Sequence, residues 1–189
     1  MKGKTSKYSK TCKNHIANFL AWKKILLSNF SERKRANPLI QYIRSKVKQL
    51  IVTDGSKSKK FLGWAWIVAT ETSTEIMTGF NPDFEMVDDI HSHRAETFGV
   101  LTIFLFLEEY CKYFFIELAS PIEFYCDNEV VISKLNQLII GINHFYEKHK
   151  TIDLDAVLKL KECMPRFLKV FHVKGHQDNK RNHSFKIPE

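Results

Sequence analysis

The chain has 189 residues, 44% of them hydrophobic, and a formal net charge of +8. That length suits one folded domain plus a tail or extension, and the apolar content is enough for a real core. The charge is uneven: residues 1–48 hold 13 Lys/Arg against one acid, Glu32, whereas residues 49–189 hold 16 Lys/Arg against 20 Asp/Glu. The basic segment attracts polyanions and the acidic remainder does not, so charge and chemistry are expected in different places. None of the four cysteines forms a CxxC pair, which argues against a zinc site. Cys111 and Cys126 lie in apolar stretches and read as buried thiols in a reducing, intracellular compartment. The N-terminus lacks the apolar core of a secretory signal. The longest apolar run, Val100–Leu107, is broken only by Thr102 and is too short to cross a bilayer, so no membrane partner is expected.

Residues 1–14 read as a polar, disordered tail. Residues 15–30 carry Ile16, Phe19, Leu20, Ile25 and Leu26 on a rough helical stripe. Asn37-Pro38 is a helix-start signal, and Leu39, Ile40, Ile43, Val47 and Leu50 follow at helical spacing. A domain boundary is drawn near residue 48, with 1–48 as a basic, partly helical extension. Gln49–Thr53 is a short β-type run ending at Asp54, followed by the turn pair Gly55-Ser56. Phe61–Thr70 and Glu75–Phe80 read as the next two strands, and Asn81–Asp89 as an acidic loop. Ser92–Lys112 has helical spacing, Ile122–Cys126 is a short buried strand, and Asn128–Ile140 and Asp153–Cys163 are helices. Phe167–Val173 is the last strand. The order β-β-β-α-β-α-α-β implies an α/β fold with a five-stranded mixed sheet, its first three strands antiparallel, flanked by helices.

Three acids fall at informative places. Asp54 closes the first strand, Asp127 closes the fourth, and Glu96 lies in the first turns of the long helix. A carboxylate just past a buried strand points into the crevice where open α/β sheets bind ligands. If those two strands are neighbours, their acids sit side by side, which is costly unless a hard divalent cation lies between them. Each acid alone has a plainer reading. Asp54 suits an Asp-Gly turn, and Asp127-Asn128 suits a helix cap. The three together are what point to a metal.

The residues also carry a resemblance. IVTDGSKSKKFLGWAWIV resembles the first hairpin of the type 1 ribonuclease H family, SHRAETFGVLTIFLFL its first helix, FYCDNEVVISKL the strand-Asp-helix that follows, and VFHVKGHQD its last strand and catalytic loop. The wording is most similar to ribonuclease H domains of retrotransposon polyproteins and spans roughly residues 49–180. The resemblance implies an RNase H-like fold that hydrolyses the RNA strand of RNA–DNA hybrids with two Mg²⁺ or Mn²⁺ ions. It makes Asp54, Glu96 and Asp127 metal ligands and catalytic residues, with Asp54 bridging both ions. His176 becomes the loop histidine of proton transfer or product release. Gly55, Ser56, Asn128 and Lys174 become substrate contacts, with Gly55 and Ser56 allowing close approach to the RNA strand.

One departure stands out. The family has a fourth acid after the catalytic loop, and ten residues beyond His176 stands Lys186; Asp178 is the nearby candidate for a further ligand. The expectation is therefore a domain shortened at its C-terminus, monomeric, from a larger reverse-transcriptase polyprotein. The alternative is a catalytically inactive RNase H-like nucleic-acid-binding module or retroelement remnant. The Asp-Gly-Ser hairpin and Lys-Gly-His loop argue against an integrase or transposase. Trp64 and Trp66 share a strand face and read as packing residues. His91 and His93 read as a polar helix entry, Asp88 and Asp89 as a solvated loop, and His172 as a surface residue. Glu129 reads equally as a substrate contact and as a first-turn acid favoured by the helix dipole.

Overall fold

The computed structural model describes residues 21–27, 29–33, 38–58, 61–85, 92–141 and 154–175. Among them are helix α1 (Ala21–Leu27), strand β1 (Phe30–Glu32), helix α2 (Leu39–Arg44), and strands β2 (Gln49–Ser58), β3 (Phe61–Thr70) and β4 (Ser73–Glu85). Helix α3 (Ser92–Tyr113), strand β5 (Ile122–Cys126), helices α4 (Glu129–Ile139) and α5 (Leu154–Cys163), and strand β6 (Leu168–His172) complete the order.

One mixed sheet runs β1-β4-β3-β2-β5-β6. Strands β2, β3 and β4 form an antiparallel meander, while β5 lies parallel to β2 and β6 parallel to β5. This is the mixed, helix-flanked α/β arrangement expected from the sequence, with one strand more. The sixth strand is β1, which pairs antiparallel with β4 through Phe30↔Gly79 and Glu32↔Met77. Three residues are too few to show a period of two, which is why the sequence reading passed over it.

Three other elements differ from expectation. Strand β2 does not end at Asp54 but continues to Ser58, so Gly55 and Ser56 pair with Trp64 and Gly63 and are not a turn. Strand β4 runs on to Glu85, through the start of the expected acidic loop. Helix α2 stops at Arg44, because Lys46 takes the left-handed conformation (φ 54°) that ends a helix; Leu50 belongs to β2. Its first turn is served by Glu32, whose buried carboxylate accepts the Leu39 amide at 3.1 Å. Asn37 lies outside the described residues, as do residues 1–20 and Asp153.

Helix α3 is the core of the molecule. Val100–Leu107 is buried on every side, as an apolar helix must be when a sheet covers one face and other helices the rest. It packs on β2 and β3 and against α1, α4 and α5. Thr102, the one polar residue of that run, returns its hydroxyl to the Phe98 carbonyl at 2.5 Å. Trp64 and Trp66 are buried, Trp64 stacking on Phe98 at 5.3 Å and Trp66 meeting Phe106 at 5.0 Å.

The compositional break near residue 48 is a break in charge and not in packing. Leu26, Leu27, Phe30, Leu39, Ile40 and Ile43 share one core with α3 and the sheet. Lys23 pairs with Glu109 of α3 at 2.5 Å, and the Ser120 hydroxyl donates to the Ile43 carbonyl at 3.2 Å. Burial alone would raise the Glu109 carboxyl, but Lys23 and Lys112 hold it below its ordinary value. Phe30 lies 4.8 Å from Phe106. Phe30→Ala is expected to cost about 3–5 kcal/mol, the usual range for a buried phenylalanine. The midpoint of urea unfolding measures it, and an unchanged midpoint would mean that residues before 48 do not share the core.

Candidate active site

The parallel pairing of β2 with β5 sets the level of the acids. Gln49 pairs with Ile122 and Val52 with Tyr125. Continued by two residues, the same offset brings Asp54 level with Asp127 on the neighbouring strand. By the period of two, Asp54 and Ser56 share the exposed side of β2, whereas Thr53 and Gly55 face α3.

Glu96 arrives from α3. A Cβ on Gly55 would lie 2.5 Å from the Glu96 nitrogen and 2.7 Å from the Ala95 carbonyl carbon. Those are backbone atoms that cannot yield cheaply, so the helix touches the strand only because position 55 has no side chain. The Gly55 amide also donates to the Glu96 carboxylate. Glu96 is 6% exposed, and its carboxyl is pushed up to about 7, first by burial and then by the charges of Asp127 and Asp54.

Asp127 follows β5 directly. Of the Asp127-Asn128 pair that suited a helix cap, Asn128 is the cap, its side-chain oxygen accepting the Val130 and Val131 amides at 3.1 and 3.2 Å. The Asp127 carboxylate is thus left to the site. Oxygen atoms of Glu96 and Asp127 and the sulfur of Cys126 all lie within 4.8 Å of one another. Asp54 is not in that tight group, though its charge reaches Glu96. Two buried or half-buried acids with a third nearby form a donor set of hard oxygens, which fits a divalent cation of the Mg²⁺ or Mn²⁺ type.

The other expected residues fall out as follows. Gly55 lacks a Cβ because of the helix, a reason that lies inside the fold. Ser56 is exposed on the Asp54 side of the strand. Asn128 is the α4 cap, and its amide nitrogen donates to His93 Nδ1 at 3.0 Å. His93 is therefore part of the helix entry, tied across to α4. Lys174 is exposed. His172 is exposed and donates from Nε2 to the Asp127 carbonyl at 3.1 Å. Glu129 is exposed in the first turn of α4, with His172 Nδ1 4.0 Å away. His176 and Asp178, like His91, Asp88 and Asp89, lie outside the described residues.

Two residues at the site escaped the sequence reading. Cys126 is fully buried, as expected, but its thiol donates to Glu96 Oε2 at 3.8 Å. Gly175 packs directly on Asp127, since a Cβ there would sit 2.3 Å from Oδ2 and 3.2 Å from the Asp127 Cβ. The signal for Gly175 was the Lys-Gly-His wording, which pointed to the histidine and not to the glycine.

No protein-family model matches the chain, and no curated protein does. Solved structures similar to it include RNase H1 from the halophilic archaeon Halobacterium salinarum NRC-1, at 14% identity and TM-score 0.49, covering 70% of this chain and 89% of that one. LC11-RNase H1, isolated from compost by a metagenomic approach, is 15% identical with TM-score 0.48 and covers 70% and 88%. The foamy viral protease-reverse transcriptase, solved with dsDNA, is 14% identical with TM-score 0.49 and covers 76% and 90%.

Two outcomes follow from the geometry. Without divalent cation, the folded chain holds the Glu96 proton more tightly than the unfolded chain, whose carboxyl titrates near the ordinary 4.5. Stability contributed by that proton is present below 4.5 and is lost as pH rises to about 7. In EDTA, unfolding midpoints should fall across that window for the protein and less steeply for Glu96→Gln; parallel curves would contradict the buried acid. Gly175→Ala should turn the Asp127 carboxylate aside and weaken Mn²⁺ binding about ten- to a hundredfold, the usual cost of disturbing a ligand's support. Titration calorimetry measures this, and unaltered affinity would separate Gly175 from the site.

Proposed function

We propose that this chain is a metal-dependent endonuclease that hydrolyses the RNA strand of RNA–DNA hybrids. The observation that carries the reading is the gathering of Glu96 and Asp127 within 4.8 Å at the end of β5, with the Asp54 charge near enough to act on Glu96. Three carboxylates brought together without a cation among them repel one another and resist burial, and a bound divalent ion removes that cost. The four sequence blocks resembling the ribonuclease H family, in order and on matching elements, supply the substrate class.

In this reading Asp54, Glu96 and Asp127 would hold two Mg²⁺ or Mn²⁺ ions. When bound, such ions neutralise charge on the reacting phosphodiester and favour attack by water. The chain's own residues do the rest. The Gly55 amide fixes the Glu96 carboxylate, and Asn128, by serving the α4 amides itself, keeps Asp127 for the reacting centre. Ser56, exposed beside Asp54, meets the RNA strand, where a 2′-hydroxyl distinguishes RNA from DNA. Lys174 meets a phosphate, and Asn128 and the Gly55 backbone border the substrate. His176 moves a proton or aids product release, and Asp178 is a further ligand candidate. The basic residues of 1–48 add sequence-independent attraction for nucleic acid. A monomer within an intracellular reverse-transcriptase polyprotein is the context that the motif wording favours.

Asp54→Asn tests the reading. Mg²⁺-dependent cleavage of a labelled RNA–DNA hybrid should fall to background while the circular dichroism spectrum and hybrid binding persist. Cleavage by the variant at the parent's rate would refute the assignment. Binding of the hybrid by the parent without cutting, in Mg²⁺ and in Mn²⁺, would favour a non-catalytic binding module.

A further inference from the structure

Strand β5 alternates strictly between the core and the other face: Ile122, Phe124 and Cys126 are buried, while Glu123 and Tyr125 are half-exposed. Cys126 is thus the last core position before Asp127, on the side of the sheet that carries α3. An aliphatic residue would fill that position equally well. A thiol there brings a sulfur under the Glu96 carboxylate, 3.8 Å from Oε2, where it also receives the Asn128 amide at 3.4 Å. The sulfur lies within 4.8 Å of oxygens of both Glu96 and Asp127.

We propose that Cys126 is a third donor of this site, so that the site accepts a thiophilic divalent ion of the Zn²⁺ or Cd²⁺ class in competition with Mg²⁺. The proposal rests on the reading that Glu96 and Asp127 hold a cation. Mg²⁺ keeps to oxygen and water, so the thiol stays protonated and outside its coordination. A softer ion prefers sulfur, with metal–sulfur distances of about 2.3 Å and metal–oxygen distances of about 2.0–2.2 Å. Donor atoms already within 4.8 Å close around such an ion by side-chain rotation, which Asp127 has room for at its half-exposed position. The thiol proton, and any proton that Glu96 still holds, leave to solvent as the ion binds, and thiolate and two carboxylates then surround one divalent charge. No electron is transferred. The consequence is a nuclease site that trace zinc-class ions occupy and silence.

The test uses Cd²⁺ as the probe on the full chain, read by the sulfur-to-cadmium charge-transfer absorption in the ultraviolet. A band saturating at one equivalent is expected. Its affinity should fall about ten- to a hundredfold in Glu96→Gln, and the band should vanish in Cys126→Ser and Cys126→Ala. It should persist in Cys12→Ser, Cys111→Ser and Cys163→Ser. Circular dichroism verifies the fold of each variant, and Cys126→Ala removes the sulfur without burying a hydroxyl. A band absent from the parent, or one kept at parent affinity in a folded Cys126 variant or in Glu96→Gln, overturns the proposal. Hybrid cleavage in Mg²⁺ is measured separately. The band without cleavage leaves this proposal standing and sinks the nuclease reading, whereas cleavage without the band does the reverse.

Discussion

The contact of β2 with α3 at Gly55 governs the site. Strand and helix meet so closely there that any Cβ would lie within 2.8 Å of three helix backbone atoms. One turn further along α3, at Gly99, the same test gives an ordinary 3.5 Å to Thr53, so the strict requirement is confined to one point. That point is where Glu96 leaves the helix. Were the helix held farther off by an ordinary side chain, Glu96 would not reach the level of Asp54 and Asp127. The resulting position is costly for a carboxylate, and the fold tolerates it because the apolar body of α3 is packed on every side.

Arg94, two residues before Glu96, turns to Asp155 of α5, with nitrogen–oxygen distances of 3.1 and 3.4 Å, and lies over the Phe98 ring at 5.0 Å. That contact fastens the start of α3 to α5. Local arrangements that conflict with simple stability are expected where function, and not packing, set the sequence.

How much of this was legible in the sequence depends on the length of each signal. Strands β3 and β5 and helix α3 were legible because each shows several periods of its own repeat. Strand β1 has three residues and no repeat to show. The full length of β2 was hidden by Asp54-Gly55-Ser56, whose residue types favour turns; pairing with β3 overrides that local preference, as tertiary contacts commonly do. The acids Asp54, Glu96 and Asp127 were legible because each stands at the edge of an apolar run. Cys126 was hidden by belonging to such a run: burial was predictable, but the neighbour above it came from a helix thirty residues away. Gly175 was hidden for the same reason. A loop glycine suggests a turn, whereas this one makes room for the Asp127 side chain.

The turn from Cys126 to Glu129 divides its tasks among adjacent residues, and hydrogen-bonding capacity fixes the division. The Asn128 side-chain oxygen accepts two helix amides, so its nitrogen must donate. His93 Nδ1, 3.0 Å away, must then be the acceptor, which puts the proton of a neutral His93 on Nε2. The Asp127 carbonyl accepts from His172 Nε2, so a neutral His172 carries its proton there and leaves Nδ1 bare toward Glu129. Backbone and cap are thereby held from both sides, by α3 through His93 and by β6 through His172. Among the described residues no hydrogen bond engages the Asp127 carboxylate, and Gly175 leaves it the space to lie against the loop. With no hydrogen bond of its own to break, that carboxylate is open to a ligand while the turn that carries it is held in place.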